Sequence, residues 1–138
     1  MEPTYSVSEK FFVNRALYKV SSPKRGDVIV FKTSASDSAA LHIRRVIGLP
    51  GETVQVKDGK IYINGKVYEE NGAYQDMTDG GLANSAITLE SGEYFVLGDN
   101  RNNSEDSRFS DIGNISKKYI VGKVWFTVSP KNKIGFIK

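Results

Sequence analysis

The chain contains no cysteine and a single histidine, His42. Without thiols there is no disulfide and no thiolate metal site, and redox chemistry says nothing about compartment. One imidazole rules out a histidine-rich metal centre, and no metal or other cofactor is expected. Long apolar runs are missing too. No stretch approaches the roughly 20 residues a membrane helix needs, and no signal-peptide pattern is present. A strong excess of one charge is also absent. Lys and Arg number 19 against 16 Asp and Glu, a formal net charge of +3. The basic residues are scattered along the sequence without a stripe, which argues against a nucleic-acid partner.

What remains is an ordinary globular composition, 39% hydrophobic and 25% charged. The 138 residues fit one domain, 1–138. A chain of this length hides roughly two-thirds of its unfolded surface. The apolar pattern has period two almost throughout. Asp27 to Lys32 is a β-branched run introduced by Pro23 and Gly26, and Leu41 to Ile47 is a second run stopped by Gly48 and Pro50-Gly51. Thr53 to Val56 and Lys60 to Ile63 flank Asp58-Gly59, and Asn64-Gly65 precedes Lys66 to Tyr68, so Glu52 to Tyr68 reads as a three-stranded meander. Residues 70–86 are polar and aperiodic, a long flexible loop. Tyr94 to Leu97 is a short buried strand, and Tyr119 to Val128 a closing one. Ser107 to Ser116 and Ser6 to Phe12 are the places where a helical turn or two is expected. The fold class is therefore all-β, mainly antiparallel, a folded sheet or barrel with few short helical turns.

Three stretches carry chemistry. Met1 to Tyr5 (MEPTY) is by itself a proline turn. Leu41 to Glu52 (LHIRRVIGLPGE) places two arginines and the histidine in a strand. Alternation sets His42, Arg44 and Val46 on one face and Ile43, Arg45 and Ile47 on the other. A buried guanidinium there needs a carboxylate or several carbonyls. Gly98 to Arg108 (GDNRNNSEDSR) packs short polar and charged side chains directly behind an apolar strand. Asp99 or Asp106 is positioned in sequence to neutralise Arg44 or Arg45, in a cross-bonded turn. The glycine and terminal glutamate of a calcium loop are missing.

With these stretches in this order, the chain resembles bacterial type I signal peptidase. MEPTY is similar to the segment after that family's nucleophilic serine, S-M-x-P-T. KRGDVIVF, Lys24 to Phe31, resembles the next strand. IRRVIGLPGE resembles the lysine box I-K-R-V-I-G-x-P-G-D, and GDNRNNSEDSR the last box G-D-N-R-x-N-S-x-D-S-R.

The resemblance implies a largely antiparallel β catalytic domain on the extracytoplasmic face of the cell membrane, tethered by an N-terminal anchor. It implies cleavage of signal peptides from exported preproteins by a serine nucleophile and a lysine base, without metal. The serine would stand immediately before Met1, so that segment and the anchor are expected upstream. Arg44 takes the lysine's place and Arg45 the following arginine's. Ser104 would hydrogen-bond the lysine amine, and Asp106 and Arg108 would form a supporting ion pair. Tyr5, His42 and Ile43 would line the groove for the small substrate residues at −1 and −3, where an extended peptide pairs with the strand edge.

A guanidinium is not deprotonated in proteins, so Arg44 cannot serve as that base. His42 lies two residues earlier, about 7 Å along the strand, whereas eukaryotic relatives carry their histidine at the lysine position itself. Three readings follow. One is a signal-peptidase domain whose cleavage is in question. Another is a signal-peptidase-like pseudoenzyme acting in assembly, such as pilus assembly, by holding a pilin-like or other exported polypeptide. The third is an arginine variant that traps an inactive form.

Overall fold

A computed structural model describes residues 1, 10–129 and 135–136. Eleven strands are described: β1 (Lys10–Asn14), β2 (Val28–Lys32), β3 (Leu41–Gly48), β4 (Thr53–Lys57), β5 (Lys60–Ile63), β6 (Lys66–Val67), β7 (Ile87–Thr88), β8 (Glu93–Leu97), β9 (Ile115–Ser116), β10 (Ile120–Ser129) and β11 (Gly135–Phe136). The helical pieces are α1 (Leu17–Val20) and 3-10 turns at Gly81–Asn84 and Lys117–Tyr119. The fold is all-β, as the alternation implies. One sheet runs β1-β10-β2-β3-β8-β9, with β11 also on β10, and a second runs β6-β5-β4-β7; every pairing is antiparallel.

The second sheet follows from its turns. Asp58 and Asn64 adopt φ of 52° and 52°, each followed by glycine at 78° and 81°. This is the type I′ geometry that suits the twist of paired strands. β4 and β5 then pair in register from Val54↔Ile63 to Lys57↔Lys60.

Strand β3 organises the first sheet, because alternate residues serve separate cores. Ile47 joins Val54, Val56, Ile61, Phe95 and Leu97 between the two sheets. Val46 joins Ile29, Phe31, Tyr94 and Val96. Ile43 packs with Val28, Val30 and Val124, where Met1 also packs. At Gly48 the end of β3 comes close to β4 of the second sheet. A Cβ there would sit 2.6 Å from Val54 Cγ2 and 2.7 Å from Leu89 Cδ1.

Two helical expectations fail. Ser107–Ser116 forms turns and the short strand β9, with no helix. The Ser107 N–H donates to the Val96 carbonyl at 3.1 Å, and its hydroxyl accepts the Val96 N–H at 2.8 Å. This ladder-like pairing with β8 holds the segment off a helical path. Of Ser6 to Phe12, the described end, Lys10–Phe12, lies in β1 against β10, and the rest falls outside the described residues. The short helix α1 had no periodic signal.

Residues 70–86 are fastened at several points, in contrast to the free excursion their composition implies. Met77 N–H donates to the Gly59 carbonyl at 3.0 Å, Thr78 N–H to Asn102 Oδ1 at 2.9 Å, and Leu82 N–H to the Arg108 carbonyl at 2.6 Å. Glu70 takes both arms of the Arg101 guanidinium, at 2.5 and 2.6 Å.

Candidate active site

The turn after β8 is built around arginines. Arg45 Nε and Nη2 donate to the two Asp99 carboxylate oxygens at 2.9 and 2.7 Å. Arg108 grips Asp106 in the same forked manner, at 2.8 and 2.9 Å, and both residues are buried. Arg101 pairs with Glu70, donates Nε to the Gly98 carbonyl at 2.9 Å, and lies 4.2 Å from the Tyr74 ring centroid. Arg108 Nη2 closes the set on the Arg101 carbonyl at 2.6 Å. Asp106 also accepts the Gly98 N–H at 3.1 Å. Each carboxylate thus neutralises one cation, and Asp106 also accepts backbone N–H groups, which meets the condition for burying such charge.

Of the two ion-pair assignments open for Asp99 and Asp106, Asp99 goes to Arg45. Asp106 goes to Arg108, so the alternative pairing of Asp106 with Arg44 is not formed.

Arg44 differs from its neighbours. Among the described residues it makes no ion pair. Its Nε donates to the Glu105 carbonyl at 2.8 Å and its Nη1 to the Ile43 carbonyl at 2.7 Å. Burial pulls its pKa below the usual guanidinium value, while the Asp106 and Glu105 charges oppose that fall. The side chain lies half-buried on the His42–Val46 face, and His42 stacks on Phe31 with ring centroids 5.5 Å apart. Burial, and then the Arg44 charge, hold His42 below its ordinary pKa, so its ring is neutral at pH 7.

The Ile43 carbonyl is the open acceptor of the sheet at this point. Val46 exchanges hydrogen bonds with the β2 side: its N–H reaches the Asp27 carbonyl and its carbonyl the Gly26 N–H, both at 2.8 Å. By alternation His42 and Arg44 also turn their backbone groups to β2, and Ile43 turns its groups away from it. On that other side β8 reaches only as far as Leu97 opposite Arg45. Arg44 therefore caps the edge position next beyond the end of β8.

Ser104 sits beneath. Its Oγ is the one buried side-chain polar atom without a hydrogen-bond partner among the described residues. Gly98 makes the space for it: a Cβ at 98 would collide with Ser104 Oγ and lie 3.6 Å from Arg44 Cδ. Arg44 Cδ thus borders the same place that a Gly98 Cβ would take, and the charged end of the side chain is spent on two carbonyls. A buried hydroxyl lacking a donor or acceptor is costly.

The structure brings Arg44, Ser104, Asp106 and Arg108 into one cluster, with His42 and Ile43 on the adjoining strand. Tyr5 lies outside the described residues. Sequence reasoning missed Glu70 and Tyr74, which complete the Arg101 clasp from within the polar loop. Their only signal was an acid and an aromatic in an otherwise small-residue stretch. No group of His, Cys, Asp and Glu with metal-holding geometry occurs among the described residues.

Similar proteins are known by sequence and by structure. The family described as "Signal peptidase, peptidase S26" matches residues 1–129. "Probable signal peptidase I-2" of Synechocystis is 32% identical over 99% of this chain, and "Signal peptidase I" of Leptolyngbya laminosa is 39% identical over 98% of it. The chain spans 62% of the length of the first and 67% of the second. A crystal structure of a signal peptidase I from Enterococcus faecalis superposes with a TM-score of 0.57 at 32% identity, covering 75% of this chain and 97% of that one. By these matches the chain is a member of the signal peptidase, peptidase S26, family.

Proposed function

We propose that this domain binds the extended, small-residue end of signal peptides on exported preproteins at the free edge of β3, and that Arg44 blocks hydrolysis by the serine–lysine route. The observation that carries the reading is Arg44 itself. It stands where the family has its lysine, beside the unpartnered Ser104 hydroxyl, and gives its hydrogen bonds to the carbonyls of Ile43 and Glu105. A general base must take a proton near neutral pH, and a guanidinium stays charged there even when burial lowers its pKa. In an active relative, the lysine amine would meet Ser104 on one side and the serine preceding Met1 on the other. Here the residue at that position is Arg44, whose guanidinium is given to the Ile43 and Glu105 carbonyls.

On this reading the protein works at the extracytoplasmic face of the membrane, held by an anchor outside this chain. Capture without cleavage is the finer reading that Arg44 favours: the groove would hold an exported polypeptide, such as a pilin, for assembly. Peptide pairing at β3 requires the Ile43 carbonyl, which Arg44 occupies. An Ala-x-Ala signal-peptide segment titrated calorimetrically is therefore expected to bind saturably. Arg44→Ala is expected to bind it several-fold more tightly. No saturable binding by either form would end this reading.

A further inference from the structure

Asparagine is followed by glycine at two places, Asn64-Gly65 and Asn71-Gly72. In such a pair the glycine amide nitrogen can reach the asparagine Cγ, because no side chain on the glycine stands in the way. The fold treats the two pairs differently. Asn64 adopts a φ of 52° in the tight turn between β5 and β6. Its Oδ1 accepts the Thr53 N–H at 2.9 Å, and its own N–H donates to the Thr53 carbonyl at 2.8 Å. Ring closure there would require the side chain to leave Thr53 and the turn to leave its φ. Asn71 stands exposed in a bend of the polar loop, and among the described residues its side-chain amide makes no hydrogen bond. The Gly72 N–H donates back to the Glu70 carbonyl at 3.0 Å, a three-residue turn that leaves the Asn71 side chain outside it. Exposed loop tips of this kind are where chain motion concentrates.

Packing keeps the glycine in place. A Cβ at Gly72 would lie 2.8 Å from Tyr74 Cε2, and the Tyr74 ring is the one that lies against the Arg101 guanidinium. The fastening of the loop to the turn after β8 thus holds a glycine behind an unrestrained asparagine. Asn71 also borders a hollow of about 300 Å³ lined by Arg25, Arg45 and Lys123. A carboxylate at position 71 meets these cations, so the added charge alone is tolerated there. A change in backbone length is a different matter. Glu70 on one side of the pair takes both arms of Arg101, and Tyr74 on the other covers its face, so the register between them sets the clasp.

We propose that Asn71-Gly72 is a self-modification site, and that its isoaspartyl product loosens the hold of the loop on Arg101. The Gly72 nitrogen loses its proton to solvent and bonds to Asn71 Cγ. The bond from Cγ to the side-chain nitrogen breaks, and that nitrogen leaves as ammonia. Water then opens the succinimide, giving either aspartate or isoaspartate. In the isoaspartyl form the main chain runs through the former side chain and gains a methylene between Glu70 and Tyr74. The test is to age the folded chain at mildly alkaline pH, digest it, and read both sites by mass spectrometry, with isoaspartate identified by isoaspartyl methyltransferase labelling. Asn71 is expected to convert while Asn64 keeps its amide. In guanidinium-unfolded chain the two are expected to convert alike. The aged isoaspartyl form is expected to unfold at a lower temperature than the fresh chain. Asn71→Asp, which adds the charge without the methylene, and aged Asn71→Gln are expected to keep the parent's midpoint. Equal conversion of Asn64 and Asn71 in the folded chain, retention of Asn71 there, an unchanged midpoint after conversion, or an equal fall in aged Asn71→Gln would each overturn the proposal.

Discussion

Arg44 and Arg45 are chemically identical neighbours with opposite fates, because a strand sends them to opposite faces. Arg45 meets Asp99 in a fork, and Arg44 meets only carbonyls. That contrast could not be read from the sequence, where either aspartate was free to pair with either arginine. The partners lie 54 residues apart, and only the folded turn chooses. The Asp106–Arg108 pair was legible only through the family box, since two residues two apart in a polar loop normally face solvent. Because Asp106 is fully buried, Asp106→Ala strands the Arg108 charge and frees the Gly98 N–H. The expected loss is about 3–5 kcal/mol by urea titration.

Glu52 gives a pH signature. Hydrogen bonds from Arg25 hold its carboxyl below the usual 4.5, the Leu49 N–H adds to that, and burial opposes both. Its folded pKa is therefore lower than its unfolded one. The stabilisation is complete above the unfolded value and is lost as pH falls through the folded one. Between about pH 5 and pH 3, the urea midpoint of Glu52→Gln should fall less steeply than the parent's. Parallel curves would show that the Arg25 clasp contributes nothing.

Among the elements, strands with strict alternation and tight glycine turns were readable, and β2 to β6 lie within a residue or two of their expected bounds. These signals are local: Asp58-Gly59 and Asn64-Gly65 need only their own φ to make a hairpin. Elements defined by distant partners were not readable. Ser107–Ser116 has no local reason to avoid a helix; its reason is Val96. The loop 70–86 lacks periodicity because its fastenings go to Gly59, Asn102, Arg101 and Arg108, all outside it. At the end of β3, Gly48 is demanded by packing, since Val54, Leu89 and Phe95 leave no room for a methyl group. Gly48→Ala should cost about 1–3 kcal/mol by overpacking, read as a lowered denaturation midpoint with an unchanged slope. Gly51→Ala, with open space around its Cβ but a φ of 84°, would lose stability through backbone strain alone and so provides the comparison.

Over the whole molecule, the two sheets and three cores converge on β3, and the functional turn is lashed to the end of β8 beside it. The sheets hold the Arg44 side chain against the Ile43 and Glu105 carbonyls, and on the reading proposed above the family's fold is retained around a cation that cannot accept a proton.

The most direct measurement follows preprotein cleavage by a membrane-anchored form in which serine stands immediately before Met1, with Arg44 retained and with Arg44→Lys. Loss of a positioned general base typically costs about 10²–10⁴-fold in rate. The Arg44 form is predicted to leave the preprotein intact on the timescale in which the Arg44→Lys form processes it. Equal cleavage by the two forms would contradict the account.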